Sequence, residues 1–277
     1  MRKVELVDGI HSSVLGFGCA PILGSKSAND SRRALEAAFD KGITHFDLAR
    51  SYGYGEAEGF VGKVLRKKRD KIVFTSKFGI QANWKAQLFK PVKPVVRFLR
   101  SRKAETIESK PLDKNENKVA DLFHDRIEIN AIEMRKNLER SLKALKTDYL
   151  DYFLIHEPLA AIENIDELSN TMLSLKKEGK IRAWGLAFVK NQKHLHESYL
   201  DRFDILQFNN SPVDNDYNKV VEERSNESNI FFSTLRGGAE MSPAEKLKRL
   251  LNDYSRSVIL CSMYSVKHLE ENVKLAT

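Results

Sequence analysis

Short apolar runs alternate with stretches whose apolar positions recur every three to four residues along nearly the whole chain. KVELVDGIHSSVLGFG reads as a hairpin turning at Asp8–Gly9, a pair suited to tight β-turns. SVLGFGCA then reads as a strand, and SRRALEAAFDKG as a helix with Leu35, Ala38 and Phe39 on one face and Gly42 at its stop. THFDLA is a predicted strand, residues 56–68 a helix, and KIVFTSKFG a strand. RIEINAIEMRKNLERSLKAL predicts a helix with Ile129, Ile132, Leu138, Leu142 and Leu145 on its apolar side. YLDYFLIH, AWGLAFV, DILQFN, NIFFSTL and SVILCSM read as further strands. Each is followed by a helical pattern, NQKHLHESYL, DYNKVVEERSNES and VKHLEENVKLA among them. Strand–helix alternation implies a parallel sheet, and eight such units after the hairpin imply a closed (β/α)8 TIM barrel. One domain is expected over residues 1–277.

An open doubly wound sheet is the other topology such alternation allows. Its glycine turn has a near match in Gly53-Tyr54-Gly55, between a predicted strand and a predicted helix. The third glycine fails: that position is Glu58, whose charge would repel a pyrophosphate.

Composition narrows the function classes. The net charge is +8, but residues 85–118 hold ten basic and four acidic side chains, so +6 of it is local. A general nucleic-acid surface is therefore not expected. No apolar run is long enough to span a membrane, and MRKVELVDGIHSS has no apolar secretory segment. Cys19 and Cys261 stand far apart, without metal-ligand spacing, and read as free thiols in a reducing, cytoplasmic setting. No metal site is expected.

The polar residues at strand ends are the informative ones, because barrel active sites lie at the carboxyl ends of the strands. Asp47 is near the end of the predicted strand in THFDLA, with Tyr52 in the loop beyond it; Lys77 is at a strand end in FTSKFG, and His156 and Gln207 close strands in YFLIHEP and ILQFNN. Singly, a strand-end lysine is usually solvated, a histidine hydrogen-bonded and a loop tyrosine packed. Together, on neighbouring strands, they suit proton transfer. Asp47 needs a counter-charge if buried, and Lys77 can provide it. A cationic Lys77 is expected to lower the Tyr52 pKa from its ordinary value of about 10. Such a phenol can protonate a carbonyl oxygen or take the proton back from an alcohol, while His156 donates a hydrogen bond to the same oxygen. None of these groups carries a hydride, so a redox reading requires a cofactor.

DLARSYGYGEAE, FTSKFG and LIHEP resemble the catalytic segments of the aldo-keto reductase family, at Asp47, Tyr52, Lys77 and His156. KKEGKIRAWGLAFV, LQFN and HLEENVKLA resemble its later strand and cofactor segments. The resemblance implies an NAD(P)H-dependent reductase of a small carbonyl or sugar substrate, with NADP(H) or NAD(H) extended across the barrel mouth. It implies cofactor contacts from Gly18, Cys19, Asp47 and Gln207, with Phe232 stacked on the nicotinamide. Ser262, Met263, Ser265, His268, Glu271 and Asn272 would lie along the adenosine portion. Two features depart from the family pattern. GLAF puts Ala187 and Phe188 where side chains usually bond the carboxamide, and Ser262 and His268 replace the usual cations at the 2′-phosphate. A chain ending at Thr277 also implies that the family's C-terminal substrate loop is absent.

Residues 80–125 exceed an ordinary strand–helix connection of about two to six residues. Within it, 84–103 interleaves apolar and basic side chains around Pro91 and Pro94. A substrate lid, a peripheral patch for anionic lipid or phosphate, and a cover on the barrel rim all fit this pattern. Two other function classes also remain at this stage: a catalytically weak cofactor-binding regulatory protein, and a barrel hydrolase or isomerase using Asp47 and Glu157, which leaves Lys77 and Phe232 unexplained.

Overall fold

The computed structural model describes residues 1–89, 122–224 and 227–277. An antiparallel hairpin, β1 (Lys3–Val7) and β2 (Ile10–Ser13), turns at Asp8–Gly9 as expected. The barrel strands are β3 (Leu15–Gly18), β4 (His45–Asp47), β5 (Val73–Phe78), β8 (Leu150–His156), β9 (Ile181–Phe188), β10 (Ile205–Asn209), β11 (Asn229–Phe232) and β12 (Val258–Cys261). All pair in parallel, in chain order, and β12 closes onto β3. A small antiparallel pair, β6 (Ile80–Ala82) and β7 (His124–Arg126), brings together the two ends of the long connection after β5. Helix α1 (Ala28–Asp40) follows β3, α2 (Ala57–Leu65) follows β4, and α3 (Trp84–Phe89) follows β6. The later helices are α4 (Ala131–Leu145), α5 (Ile165–Lys177), α6 (Tyr217–Arg224), α7 (Pro243–Asp253) and α8 (Val266–Leu275). Most of the basic stretch, including most of 84–103, lies outside the described residues.

Local chemistry sets the helix ends. Ser27 caps α1 by accepting from the Asp30 N–H at 3.1 Å. Ser242 and Glu245 form a reciprocal capping box at α7, with Pro243 in its first turn. Gly62 lets α2 lie against the end of α4, since a Cβ there would strike the Leu145 backbone.

Two expectations fail. The helix placed over 126–145 begins only at Ala131, because Arg126 is in β7, and Ile132 is 77% exposed rather than inward. Met134, Leu138, Ser141, Leu142 and Leu145 form its buried face instead. NQKHLHESYL forms two 3-10 turns, Lys190–Leu195 and Glu197–Arg202, instead of an α-helix. Tyr199 is the cause: its hydroxyl meets His196 Nδ1 at 2.7 Å and accepts the Ile162 N–H at 2.9 Å. Holding those partners takes the Tyr199 backbone out of the helical region.

Strands β5 and β8 are buried at every position, as covered parallel strands are. Their polar residues therefore need internal partners. Asp151 accepts from the Phe74 N–H at 2.9 Å, Arg69 at 2.8 Å and Arg182 at 3.0 Å. His45 sits between the Ser12 hydroxyl at 3.1 Å and the Thr75 hydroxyl at 3.0 Å. Burial, then the charge of Lys77, lowers its pKa to about 3.

That shift has a pH consequence. An unfolded histidine takes up a proton below about 6.5, while His45 refuses it until far lower pH. The stability it supports should be complete above that value and fall progressively as pH drops toward about 3. His45→Gln should lose less stability than the parent over this window. Thermal melts at stepped pH check it, and parallel acid limbs would rule out a His45 contribution.

Candidate active site

Tyr52 opens a short 3-10 turn, Tyr52–Gly55, in which Gly53 and Tyr54 both take left-handed backbone. A Cβ at Gly53 would press on the Ile22 carbonyl, so glycine permits this tight return. Glu58, the residue that spoils a dinucleotide turn, holds the same segment in place. It is buried, pairs with Arg50 and accepts from the Ser76 hydroxyl at 2.6 Å. Strand β5 and helix α2 thus fix the loop that carries Tyr52.

The four proton-transfer candidates meet at one end of the barrel. Lys77 Nζ donates to both Asp47 oxygens, at 2.8 and 2.7 Å, and to the Leu48 carbonyl at 2.8 Å. It also lies 3.4 Å from the Tyr52 hydroxyl. Gln207 Nε2 donates to Asp47 Oδ1 at 2.7 Å. The His156 ring stands edge-on to Tyr52, with centroids 6.0 Å apart.

The expected lowering of the Tyr52 pKa is corrected by the structure. Burial, then the Asp47 carboxylate, pushes the phenol well above its ordinary value, and Glu157 adds to the rise. In the resting site, burial and the Asp47 carboxylate outweigh Lys77, which is bonded to both Asp47 oxygens. The phenol is therefore kept as a proton donor. Burial, then Lys77, Arg126 and His124, holds His156 well below the usual histidine range. Its ring is neutral at physiological pH, and its buried Nδ1 has no partner among the described residues.

These groups open onto a cavity of about 520 Å³, a size ordinary for small-molecule sites. Gly18, Gln207, Phe232 and Ser262 line it together with Asp47, Tyr52, Lys77 and His156. The buried Oε1 of Gln207 has no partner among the described residues, leaving a free acceptor at the centre of the site. Cys19 is not among the lining residues. It is fully buried, and its thiol points to the Phe17 carbonyl at 3.6 Å. Burial also pushes that thiol's pKa well up, so it is a core residue, not the cofactor contact expected. Met263 is buried outside the lining. Ser265, His268 and Glu271 are exposed along α8, and Asn272 is half-buried. Glu271 lies 4.0 Å from Lys267.

Sequence reading missed several lining residues: Ser233, Thr234, Leu235 and Arg236, which follow β11, and Glu157 in its role here. The signal for the first group was Arg236 directly before Gly237–Gly238 at a strand end. What the sequence hid is the latch: Lys246, buried in α7, donates to the Gly237 carbonyl and to the Gly238 carbonyl at 2.9 Å, fixing this loop at the mouth. Among the described residues, no group of acidic, cysteine or histidine side chains could hold a metal.

The family model described as "Aldo/keto reductase family" matches residues 14–239. The chain is 31% identical to "Aldo-keto reductase YhdN" of Bacillus subtilis (strain 168), over 68% of this chain and 47% of that protein. It is 28% identical to "NADH-specific methylglyoxal reductase" of Escherichia coli (strain K12), over 77% of this chain and 60% of that one. The chain thus spans about half the length of such curated relatives, 47% and 45% for two of them. A solved aldo-keto reductase from Klebsiella pneumoniae in complex with NADPH superposes with TM-score 0.66 at 18% identity, covering 99% of this chain and 89% of that chain. A thermostable aldo-keto reductase in complex with epalrestat gives TM-score 0.73 at 22% identity, covering 99% and 94%. At these identities the likeness shows the shared barrel.

Proposed function

The chain belongs to the aldo/keto reductase family, and from that premise we propose that it is an NAD(P)H-dependent oxidoreductase. It reduces a small aldehyde or ketone, or oxidises the corresponding alcohol or sugar. The observation that carries this reading is the Asp47–Lys77–Tyr52 cluster beside neutral His156, on the same cavity as the unpartnered Gln207 oxygen.

The residues present fit a nicotinamide cofactor. Gln207 Oε1 is a free acceptor for a carboxamide N–H, and Phe232 offers a flat apolar wall beside it. Gly18, at the end of β3 two strands along from β11, leaves room there, where a Cβ would come within 3.1 Å of the Ser262 hydroxyl. Arg236 and the 233–235 backbone, which line the same cavity, would take the cofactor's phosphates, and the α8 residues the adenosine end. Ser262 and His268 stand where a 2′-phosphate would want cations, and Lys267 already has Glu271 nearby. Loss of an arginine fork weakens phosphate discrimination. Use of both NADPH and NADH follows, in line with relatives named for either cofactor.

Each catalytic side chain has a distinct task. When bound, the reduced nicotinamide provides the hydride that goes to the carbonyl carbon. Tyr52, kept protonated by burial, gives its hydroxyl proton to the carbonyl oxygen. Lys77, 3.4 Å away, stabilises the phenolate left behind. Asp47 holds Lys77 in that position. His156, uncharged, donates a hydrogen bond that orients the carbonyl without competing for its proton. A cytoplasmic setting suits the two free, buried cysteines, and among the described residues no helix is long and apolar enough to cross a membrane.

Titrating the protein with NADPH and NADH, followed by quenching of intrinsic fluorescence, tests cofactor binding. Cofactor oxidation with a panel of aldehydes, ketones and aldoses tests turnover. Absence of binding to both cofactors would overturn this reading. Gln207→Ala should weaken cofactor binding by roughly tenfold, the scale of one lost buried hydrogen bond. An unchanged dissociation constant would remove Gln207 from the nicotinamide site.

A further inference from the structure

Glu157 directly follows His156 and lines the catalytic cavity. Its backbone is left-handed, with φ 46°, which is uncommon for a residue other than glycine. It also precedes Pro158, and a residue before proline is ordinarily driven to extended backbone. Two contacts hold this conformation. The Glu157 N–H extends the β8–β9 ladder to the Ala187 carbonyl at 2.7 Å, and the Arg126 guanidinium donates to the Glu157 carbonyl. A glycine would relax the position, yet a carboxylate occupies it.

That carboxylate is unusually placed. Among the described residues it makes no hydrogen bond and no ion pair. Burial raises its pKa, opposed by the charges of Lys77 and Arg126, and it in turn raises that of Tyr52. Lys77 is already committed to both oxygens of Asp47. Arg126 is exposed and donates to the Glu157 backbone carbonyl. His156 is neutral. A half-buried carboxylate that lines a cavity without a close counter-charge is partly desolvated, so this site favours a ligand that brings one.

Strand order shows which ligand. Gln207, Phe232, Arg236 and Ser262, the residues assigned to the cofactor, come from β10 to β12 and the loops beyond them. Glu157 comes from the end of β8, with Lys77 and Tyr52 to the same side. A second cavity of about 510 Å³ shares His156 with the first and is lined by Gly79, Arg126 and Leu159 among others. Glu157 thus lines the catalytic cavity on the β5–β8 side, away from the residues assigned to the cofactor, where it would stand beside the non-reacting part of a carbonyl substrate.

We propose that Glu157 sets the charge selectivity of the carbonyl pocket, favouring substrates with a cationic group near the carbonyl over those carrying a carboxylate or phosphate. The proposal rests on the reductase reading for its substrate, but it makes a binding statement that holds without turnover.

Three para-substituted benzaldehydes with the same reacting group separate the effects: trimethylammonio, nitro and carboxylate. Between the parent and Glu157→Gln, the ratio of kcat/KM for the cationic over the anionic aldehyde should fall by roughly ten- to a hundredfold, the scale of one close charge at intermediate dielectric. Glu157→Asp, which keeps the charge, should retain most of the ratio, and Glu157→Asn, which tolerates left-handed backbone, should lose it. In parallel, calorimetry with benzyltrimethylammonium and with benzoate, at saturating NADP⁺, should show the same change in relative affinity. A ratio equal in the parent and both neutral variants would overturn the proposal. No turnover of any aldehyde, with the binding ratio still shifted, would overturn the reductase reading and leave the charge selectivity standing.

Discussion

Tyr52→Phe is expected to lower kcat by roughly 10²–10⁴-fold, the contribution typical of a positioned general acid. The substitution removes one oxygen and leaves the ring packed edge-on to His156. The cofactor's polar contacts come from Gln207 and the loops after β11 and β12, so its affinity should stay close to the parent's. Loss of kcat with little change in cofactor binding is therefore the expected signature. The pH profile adds a second readout. The Tyr52 phenol is pushed well above its ordinary value, so the parent should supply the proton at constant efficiency through the neutral range. Steady-state rates of cofactor oxidation, with fluorescence titration of NADPH, measure both quantities. Turnover near the parent rate would end the assignment of Tyr52 as proton donor.

Lys77→Met should damage stability as well as catalysis. Lys77 and Asp47 are both almost fully buried, and the lysine bridges both carboxylate oxygens. Removing one partner of such a pair leaves an uncompensated buried charge, at a cost of roughly 3–5 kcal/mol. Gln207 still donates to Asp47 at 2.7 Å and softens the loss without replacing a charge. The double variant Asp47→Asn with Lys77→Met should recover much of the stability, because no buried charge then lacks a partner. It should recover none of the activity, since the phenolate left on Tyr52 has lost its cation. Denaturant unfolding of the two variants, beside their turnover, checks this. If Lys77→Met unfolds at the parent's midpoint, the pair does not have the energetic weight its geometry implies.

Both expectations were partly legible in the chain. Period-two and period-3.6 apolar patterns record which face of each element meets the core, so the eight strands, their order and the leading hairpin follow from sequence. Strand ends fix which residues reach the barrel mouth, and this located Asp47, Tyr52, Lys77, His156 and Gln207. Periodicity is a local signal, however. It could not show that Arg126 would leave its predicted helix to pair with Ile80 across the long connection. Nor could it show that the Tyr199 hydroxyl would pull NQKHLHESYL into 3-10 turns through Ile162.

Tertiary structure alone decided the electrostatics. The charge of Lys77 was visible in the sequence, but its effect on Tyr52 depends on a carboxylate 2.7 Å from it and on burial of the phenol. Burial and the neighbouring carboxylate reverse the direction that residue types alone suggest, because desolvation and pairing are properties of position. The same reason explains Cys19 and Glu157. Both lie next to strong motifs; one turns into the core beneath the site, and the other is held in left-handed backbone by Arg126, 31 residues before it, and Ala187, 30 residues after it. Which way a side chain faces at a strand end is set by contacts distant in sequence. The chain therefore determined which residues arrive at the barrel mouth, and only the closed barrel determined what each of them can do there.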